Sequence, residues 1–318
     1  MNSSLFLELT PDELTRVVHA SLHTQVVEAR LLTGGLFNTT YLVQTADCGR
    51  VVLRAGPVNR HLLMPFEHRL MTAEEQVYAL CRAQHIPVSE VLACDTTKTL
   101  LDRDYMLVRY IPSRPMVEVA LSSEDRADIC RSVGEAAAAM HRITQKRFGR
   151  IADVAENKGF LRWSAFLRDE LEQWESVAVP AAIFTAEEHG QLRRILENHV
   201  SLLDEIHTPC LVHTDLWEGN VLVGTAAGKP VFSAIIDADR ALWGDPDFEF
   251  LYQWMHNDDF LEGYGRPISQ DAACVTRRKI YRLLCSLWNA YVYQKEYNAR
   301  EEMERERAAC LELITELL

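Results

Sequence analysis

The stretch that decides the fold is Leu211-Val212-His213-Thr214-Asp215-Leu216-Trp217-Glu218-Gly219-Asn220-Val221-Leu222-Val223, in which short apolar runs enclose a polar loop. A second apolar run follows at residues 231–236 and ends at Asp237. Residues 224–230 lie between the runs, and their glycines and proline predict a hairpin connection. We therefore expect two paired strands whose ends bring the polar loop and Asp237 together.

The polar residues of the loop have the spacing His-x-Asp-x-x-x-x-Asn, formed by His213, Asp215 and Asn220. In phosphoryl transfer, an Asp in such a loop accepts the substrate hydroxyl proton and the Asn holds magnesium. Asp237 is the second predicted Mg²⁺ ligand, because phosphate charge needs a bridging cation. His213 is predicted to fix the loop conformation. The alternative interpretation is a buried hairpin whose polar residues cap loops.

On these residues the chain resembles the aminoglycoside phosphotransferase and choline kinase group of small-molecule kinases. The resemblance covers most of the chain and is most specific over residues 213–249, which include Gly244-Asp245-Pro246. It implies an α+β fold with the two lobes of protein kinases. Residues 1–111 would form a nucleotide-binding lobe with a small antiparallel sheet and the hinge. Residues 112–318 would form a larger, mainly helical catalytic and substrate-binding lobe.

The resemblance also implies where ATP binds in the first lobe. Gly34, Gly35 and Asn38 would shape a phosphate loop, since glycines let backbone amides approach an anion. Arg54 ends a strand where kinases carry a phosphate-gripping lysine, and arginine keeps that charge. The alternatives are an ordinary turn at the glycines and a surface arginine at the strand end.

A helix after residue 69 would supply a glutamate that pairs with Arg54. Both Glu74 and Glu75 are candidates, and we favour Glu75, although a solvated helix face is the alternative. The strand that ends near residue 111 resembles the hinge between the lobes. Backbone groups near Arg109 and Ile111 would bind adenine there.

Local patterns predict several helices. Thr10, Pro11 and Glu13 have the arrangement of a capping box at a helix start. Three further helices are predicted in residues 123–141, 163–174 and 186–203, and helical sequence continues from residue 272 to the end. His141 is predicted to be a packed core histidine.

Composition limits the class of protein. The net charge of −13 disfavours a nucleic-acid partner, which would require clustered Lys and Arg. No apolar run reaches the length of a membrane span, and the amino terminus lacks the pattern of a signal peptide, so a cytoplasmic protein is expected. The eight cysteines include no C-x-x-C pair, which favours reduced thiols over a zinc site. Oligomeric state has no sequence signal.

The acceptor is predicted to be a small cationic molecule. An aminoglycoside is the first choice by resemblance, with a choline-like amino alcohol or a sugar as alternatives. A group of acidic residues beyond the metal-binding strand could line the cleft and attract it: Asp247, Glu249, Asp258, Asp259 and Glu262. Solubilising surface charge is the alternative interpretation.

Two other functions were weighed. A protein kinase would need an activation segment, whereas only residues 238–243 separate Asp237 from Gly244. An inactive binding module is the other alternative. It would be favoured by Arg54 and by Ala238 and Asp239, which replace the Phe-Gly of protein kinases and make Asp239 a candidate extra ligand.

Overall fold

The computed structural model describes residues 3–33 and 35–318, which form two lobes. The first lobe contains, in chain order, α1 (Pro11–Leu22), β1 (Val26–Leu32), β2 (Thr39–Thr45), β3 (Arg50–Ala55), α2 (Leu70–Ala83), β4 (Val91–Asp95) and β5 (Tyr105–Arg109). As predicted, its strands form one antiparallel sheet. The strand order in the sheet is β1-β2-β3-β5-β4. The predicted capping box of α1 is confirmed, because the Thr10 side chain accepts from the Glu13 amide and Glu13 accepts from the Thr10 amide.

The two long helices of the first lobe cover opposite faces of the sheet. Leu53 and Leu107 pack in one apolar cluster with Val17 of α1. Met106 packs in another cluster with Val77 of α2. Since side chains alternate between faces along a strand, the residue after Leu53 in β3 points toward α2. That residue is Arg54.

The second lobe is mainly helical. It contains, in chain order, β6 (Arg114–Pro115), α3 (Ser123–His141), β7 (Gly149–Arg150), α4 (Ile151–Ala155), α5 (Trp163–Ala181), α6 (Ala186–Asn198), α7 (Val200–Leu203), β8 (Cys210–Val212), β9 (Val221–Ala226), β10 (Lys229–Ile235), β11 (Leu242–Gly244), α8 (Asp258–Tyr264), α9 (Ala272–Lys295) and α10 (Arg300–Leu317). All predicted helices are present, although α5 is longer than expected and the 186–203 and 272–318 segments each divide into two helices. Within the described part of the chain, no helix is long and apolar enough to cross a membrane.

Aromatic packing anchors the Gly244-Asp245 turn in the core of this lobe. The Trp163 indole donates to the Tyr281 hydroxyl at 2.8 Å, and that hydroxyl donates to Asp245 at 2.7 Å. A β-carbon on Gly244 would lie 2.6 Å from the Trp163 ring, so only glycine permits this approach. The motif residues Gly244 and Asp245 are therefore structural anchors between β11 and α9.

Short strands place the polar loop. β8 ends directly before His213, β9 begins directly after Asn220, and β10 pairs with β9 and ends just before Asp237. The predicted hairpin is confirmed, with a tighter turn than expected. Ala227 and Gly228 both have positive φ, at 50° and 80°, as a two-residue hairpin turn of type I′ requires.

The lobes also pack together away from the connection between β5 and β6. Met64, which lies between two short helical segments before α2, is buried in the second-lobe cluster. Tyr291 of α9 donates a hydrogen bond to the Leu62 carbonyl at 2.8 Å. Residues 60–69 of the first lobe thus form one wall of the cleft beside the second lobe, and the domain boundary at residue 111 remains a prediction.

Candidate active site

Two side chains hold the Asp215 carboxylate: Asn220 at the end of the loop and Tyr252 from a later segment. One carboxylate oxygen accepts a hydrogen bond from the Tyr252 hydroxyl at 2.7 Å, and the other accepts from the Asn220 amide at 3.1 Å. The same Asn220 nitrogen also donates to the Asp215 carbonyl at 2.8 Å. Burial raises the pKa of Asp215, and the hydrogen bond from Tyr252 opposes that rise. The carboxylate of Asp215 is therefore fixed in orientation and partly desolvated, and its role as the base remains a prediction.

The buried Glu249 binds the backbone at the start of the 213–220 loop. Glu249 accepts the backbone amides of His213 at 2.7 Å and Thr214 at 3.1 Å. Burial would raise the pKa of Glu249, but the neighbouring His141 and His213 and the donated hydrogen bonds lower it below its ordinary value. His141 is buried and contacts Tyr264, as expected for a core histidine.

His213 joins the loop to the end of β10. Its side chain is fully buried, and its Nε2 lies 3.0 Å from the Ile236 carbonyl. Its Nδ1 accepts the Asp215 amide at 3.2 Å. Through these two contacts, His213 spans the short distance between the base and the strand that presents Asp237.

Asp237 and Arg54 form an ion pair between the lobes. Asp237 has a left-handed backbone with φ 58°, and its carboxylate lies 2.6 Å from Arg54 Nη2. Its amide donates to the Tyr78 hydroxyl of α2 at 3.1 Å. Burial alone would lower the pKa of Arg54, but Asp237 and Glu74 raise it, so the guanidinium stays charged.

The helix partner of Arg54 is Glu74, and the choice of Glu75 from the sequence is wrong. Arg54 Nη1 donates to both Glu74 carboxylate oxygens at 2.5 Å. Glu74 is fully buried, whereas Glu75 is exposed on the outer face of α2. Adjacent helix residues differ by about 100° in direction, so only one of the two glutamates faces β3.

The five acidic residues expected to line the cleft lie elsewhere in the described structure, which corrects the sequence-based expectation: Asp247, Glu249, Asp258, Asp259 and Glu262. Asp247 is buried against Arg278 at 2.7 Å, and Glu249 lies beneath the loop. Asp259 and Glu262 lie 3.5 and 3.0 Å from Arg131 on the outer side of α3. Asp258 is exposed in the first turn of α8. Tertiary partners far along the chain, which the local sequence does not reveal, determine these positions.

Two cavities meet at Asp215. The first, here called the nucleotide-side cavity, has a volume of about 350 Å³ and contains most of the predicted site residues: Gly35, Asn38, Arg54, Asp215, Asn220 and Asp237. Asp239 also lines it, and burial raises the pKa of that carboxyl. The predicted Gly34 lies outside the described residues. The second, here called the acceptor-side cavity, has a volume of about 210 Å³ and shares Asp215 with the first.

The predicted hinge lies at the end of β5, apart from these cavities. The Arg109 amide donates to the Glu90 carbonyl at 2.9 Å, and its exposed side chain pairs with Glu90. The Ile111 amide donates to no backbone acceptor among the described residues. The roles of Arg109 and Ile111 in binding adenine remain predictions.

Sequence reasoning missed the residues that build the acceptor side. Tyr252, which contacts the base, follows the Gly244-Asp245 turn without any distinctive spacing. α9 contributes one face of the cavity through Arg282, Cys285, Asn289 and Tyr293. These residues recur at helical spacing along α9, which is the one pattern that could have revealed them.

The fold is the two-lobed, protein-kinase-like one of solved small-molecule phosphotransferase structures. Residues 28–280 match the phosphotransferase enzyme family, and the chain therefore belongs to that family. It is accordingly an enzyme of the small-molecule kinase class.

Relatives and solved structures agree with this assignment. The chain is 26% identical over 257 residues to the probable ketoamine kinase YniA of Escherichia coli K12, covering 75% of this chain and 81% of that protein. It is 22% identical over 291 residues to a probable ketoamine kinase of Vibrio parahaemolyticus, covering 85% and 90% of the two chains. A candidate fructosamine-3-kinase from Thermobifida fusca superposes with a TM-score of 0.65 at 17% identity, covering 95% and 100%. The gentamicin complex of APH(2")-IIa gives 0.62 at 16% identity, covering 96% and 97%.

Proposed function

We propose that the protein transfers the γ-phosphoryl group of ATP, with Mg²⁺, to a hydroxyl of a small sugar-like metabolite. The observation that carries this proposal is the position of Asp215 between two cavities. On one side Asp215 shares a cavity with Arg54, Asn220 and Asp237, and on the other it faces an adjoining small cavity. In a direct displacement the acceptor hydroxyl must reach both the base and the γ-phosphorus, so the base has to lie where the two substrates meet.

The proposed reaction is a single displacement. The acceptor hydroxyl oxygen forms a bond to the γ-phosphorus as the bond from that phosphorus to the ADP oxygen breaks, and the hydroxyl proton passes to Asp215. Tyr252 and Asn220 hold the carboxylate of this base in one orientation. Arg54 would pair with phosphate oxygens, while Gly35 and Asn38 line the cavity around them.

Asn220 and Asp237 suit a hard cation such as Mg²⁺. The Asn220 nitrogen is occupied by Asp215, which leaves the amide oxygen as a ligand, and the Asp237 side chain is 41% exposed at the cavity. Mg²⁺ bound there would neutralise the phosphate charge that develops during transfer. Asp239 is a further candidate ligand in the same cavity.

A sugar-like metabolite is supported over an aminoglycoside, which was the first choice from the sequence. The relatives cited above carry the name ketoamine kinase. The acceptor-side cavity, at about 210 Å³, is smaller than the ~300–1,000 Å³ of pockets that enclose drug-sized ligands. Its described lining includes one carboxylate, Asp215, whereas several ammonium groups would require several carboxylates.

A screen of hydroxylated acceptors tests this function. ADP release would be measured with Mg-ATP and each of fructosyl amines, simple sugars, amino alcohols and aminoglycosides. We expect acceptor-dependent ADP release with a fructosyl amine or a sugar, and a phosphorylated product by mass spectrometry. If the protein binds nucleotide tightly but no acceptor increases ADP release, an inactive binding module would be favoured instead.

Glu74 offers a prediction with a matched control on the same helix. Glu74→Gln should lower the free energy of unfolding by about 3 kcal/mol and raise the KM for ATP, because a buried pair loses one charge. Glu75→Gln, one residue away and exposed, should stay within about 0.5 kcal/mol of the parent. Chemical denaturation and ATP titrations would be compared. Equal effects of the two substitutions would contradict the assignment of Glu74.

Tyr252 should set the pH dependence of the reaction. Its hydrogen bond stabilises the charged form of Asp215, so Tyr252→Phe should raise the pKa of this base further. The acidic limb of the kcat/KM profile should therefore move to higher pH, with the loss recovered in alkaline buffer. Tyr293→Phe, which also lines the cavity, is the control and should leave the limb in place. An unshifted limb in Tyr252→Phe would show that Asp215 is not the titrating base.

A further inference from the structure

The acceptor-side cavity contains more positive than negative lining groups. Three arginines line it, Arg150, Arg240 and Arg282, together with the single carboxylate of Asp215. Two of the arginines already have close carboxylate partners. Arg150 Nε donates to Glu170 at 3.1 Å, and Arg240 Nη2 donates to Glu67 at 2.5 Å. Their charges are therefore compensated within the protein.

Arg282 differs from the other two. Its Nη2 lies 3.7 Å from Glu306, which is beyond hydrogen-bond distance, and its guanidinium donates to no group in the described ranges. Glu306 Oε1 accepts from Asn289 at 3.3 Å, so Arg282 has a long ion pair with Glu306 Oε2 but no hydrogen-bonded carboxylate. The Arg282 side chain is 43% exposed and lines the cavity. A guanidinium carries five donors in a planar fork that matches a carboxylate or a phosphate.

The neighbours of Arg282 suit a small polar ring. Asn289 and Tyr293 lie two and three turns along the same face of α9 and also line the cavity. Trp288 and Phe66 contribute aromatic surface to the same walls. Aromatic faces and amide groups bind hydroxylated rings well, but the unused guanidinium donors of Arg282 call for a stronger acceptor such as an oxyanion.

We propose that Arg282 binds an oxyanion of the acceptor, so that the substrate is an anionic hydroxylated molecule carrying a carboxylate or a phosphate monoester. The inference rests on the proposed function, because it assigns the acceptor to this cavity. It reverses the cationic acceptor expected from the net charge of −13. The acidic residues behind that expectation lie elsewhere: they pair with Arg131 or Arg278, lie under the loop, or, in the case of Asp258, are exposed on α8.

Binding of small probes tests the inference without requiring turnover. Saturation-transfer NMR would be recorded with glycerate, glycerol 3-phosphate and glycerol, each in the presence of saturating Mg-ADP to block the nucleotide-side cavity. We expect at least one of the two anions, and not glycerol, to bind the parent protein. Arg282→Gln should lose that binding and Arg282→Lys should keep part of it. Failure of both anions to bind the parent, or equal binding by Arg282→Gln, would overturn the proposal.

A turnover test uses a matched pair of acceptors and a matched control residue. The acceptors are the fructose conjugates of glycine, which has a carboxylate, and of glycinamide, which does not. Loss of one hydrogen-bonded charge pair should cost the parent roughly tenfold to 100-fold in kcat/KM for the amide. Arg282→Gln should lose this preference, because its kcat/KM for the glycine conjugate should fall to the level of the amide.

Lys279→Gln is the control, because Lys279 lies on the same helix with the same 43% side-chain exposure but pairs with Glu316. It should retain the preference for the carboxylate. A parent enzyme that phosphorylates both conjugates equally would refute the role of Arg282 and leave the kinase function intact. If neither conjugate reacts, the choice of fructosyl amines is wrong and the anion-binding result alone decides the inference.

Discussion

Asp215→Asn is expected to retain nucleotide binding and to lose turnover by roughly 100-fold to 10,000-fold, the range of general-base contributions. The substitution keeps the size of the side chain and removes its ability to accept the hydroxyl proton. Because Asn220 and Tyr252 both donate to this carboxylate, the new amide can accept from only one of them. Nucleotide affinity and melting temperature should therefore be measured beside the rate.

Glu218→Gln is the control for that experiment. Glu218 lies in the same loop, three residues after Asp215, and pairs with Arg126 at the surface. Its substitution should leave turnover within about twofold of the parent, as expected for an exposed ion pair. Turnover in Asp215→Asn within a few-fold of the parent would contradict the assignment of the base.

Asp237→Ala is expected to reduce Mg²⁺-dependent transfer by roughly 1,000-fold or more, since the metal supplies several kcal/mol of charge stabilisation. The substitution also frees one side of Arg54, which keeps its contacts with Glu74. Titration of the rate with Mg²⁺ is the measurement. An unchanged midpoint and rate in Asp237→Ala would show that the metal ligands lie elsewhere.

Asp239→Asn separates the two neighbouring carboxylates. If Asp239 is a ligand, this variant should require more Mg²⁺ for half-maximal rate. If Asp239 only adds negative charge beside Arg54, the midpoint should stay unchanged. The Asp237 prediction holds in either case, because its carboxylate lies closer to Arg54 and is more exposed to the cavity than that of Asp239.

The polar loop and the strand after it could be predicted from sequence because their geometry is local. The hairpin of β9 and β10 fixes where Asn220 and Asp237 meet, and its apolar runs and turn are visible in the printed chain. The helix caps are equally local, as Thr10 shows. Where the pairing within one hairpin or the first turn of one helix determines a position, the sequence was sufficient.

Positions that depend on distant partners could not be predicted in this way. The choice between Glu74 and Glu75 depends on the rotation of α2 relative to β3, which only tertiary packing sets. Asp247 is buried because it pairs with Arg278 of α9, and this partner cannot be read from the sequence around Asp247. The acceptor side combines residues from α9 with Asp215 and Tyr252, so no single segment of sequence reveals it.

Asp215 is proposed to accept the proton of an acceptor hydroxyl as the γ-phosphoryl group of ATP is transferred to that hydroxyl. The most direct test of this role is a single-turnover reaction with ATP labelled at the γ-phosphorus, Mg²⁺ and the best acceptor from the screen, run with the parent protein and Asp215→Asn in parallel. We expect the label on the acceptor hydroxyl with the parent protein, and almost no transferred label with Asp215→Asn at equal nucleotide occupancy. Label found only as inorganic phosphate, or transferred equally by both proteins, would contradict this role.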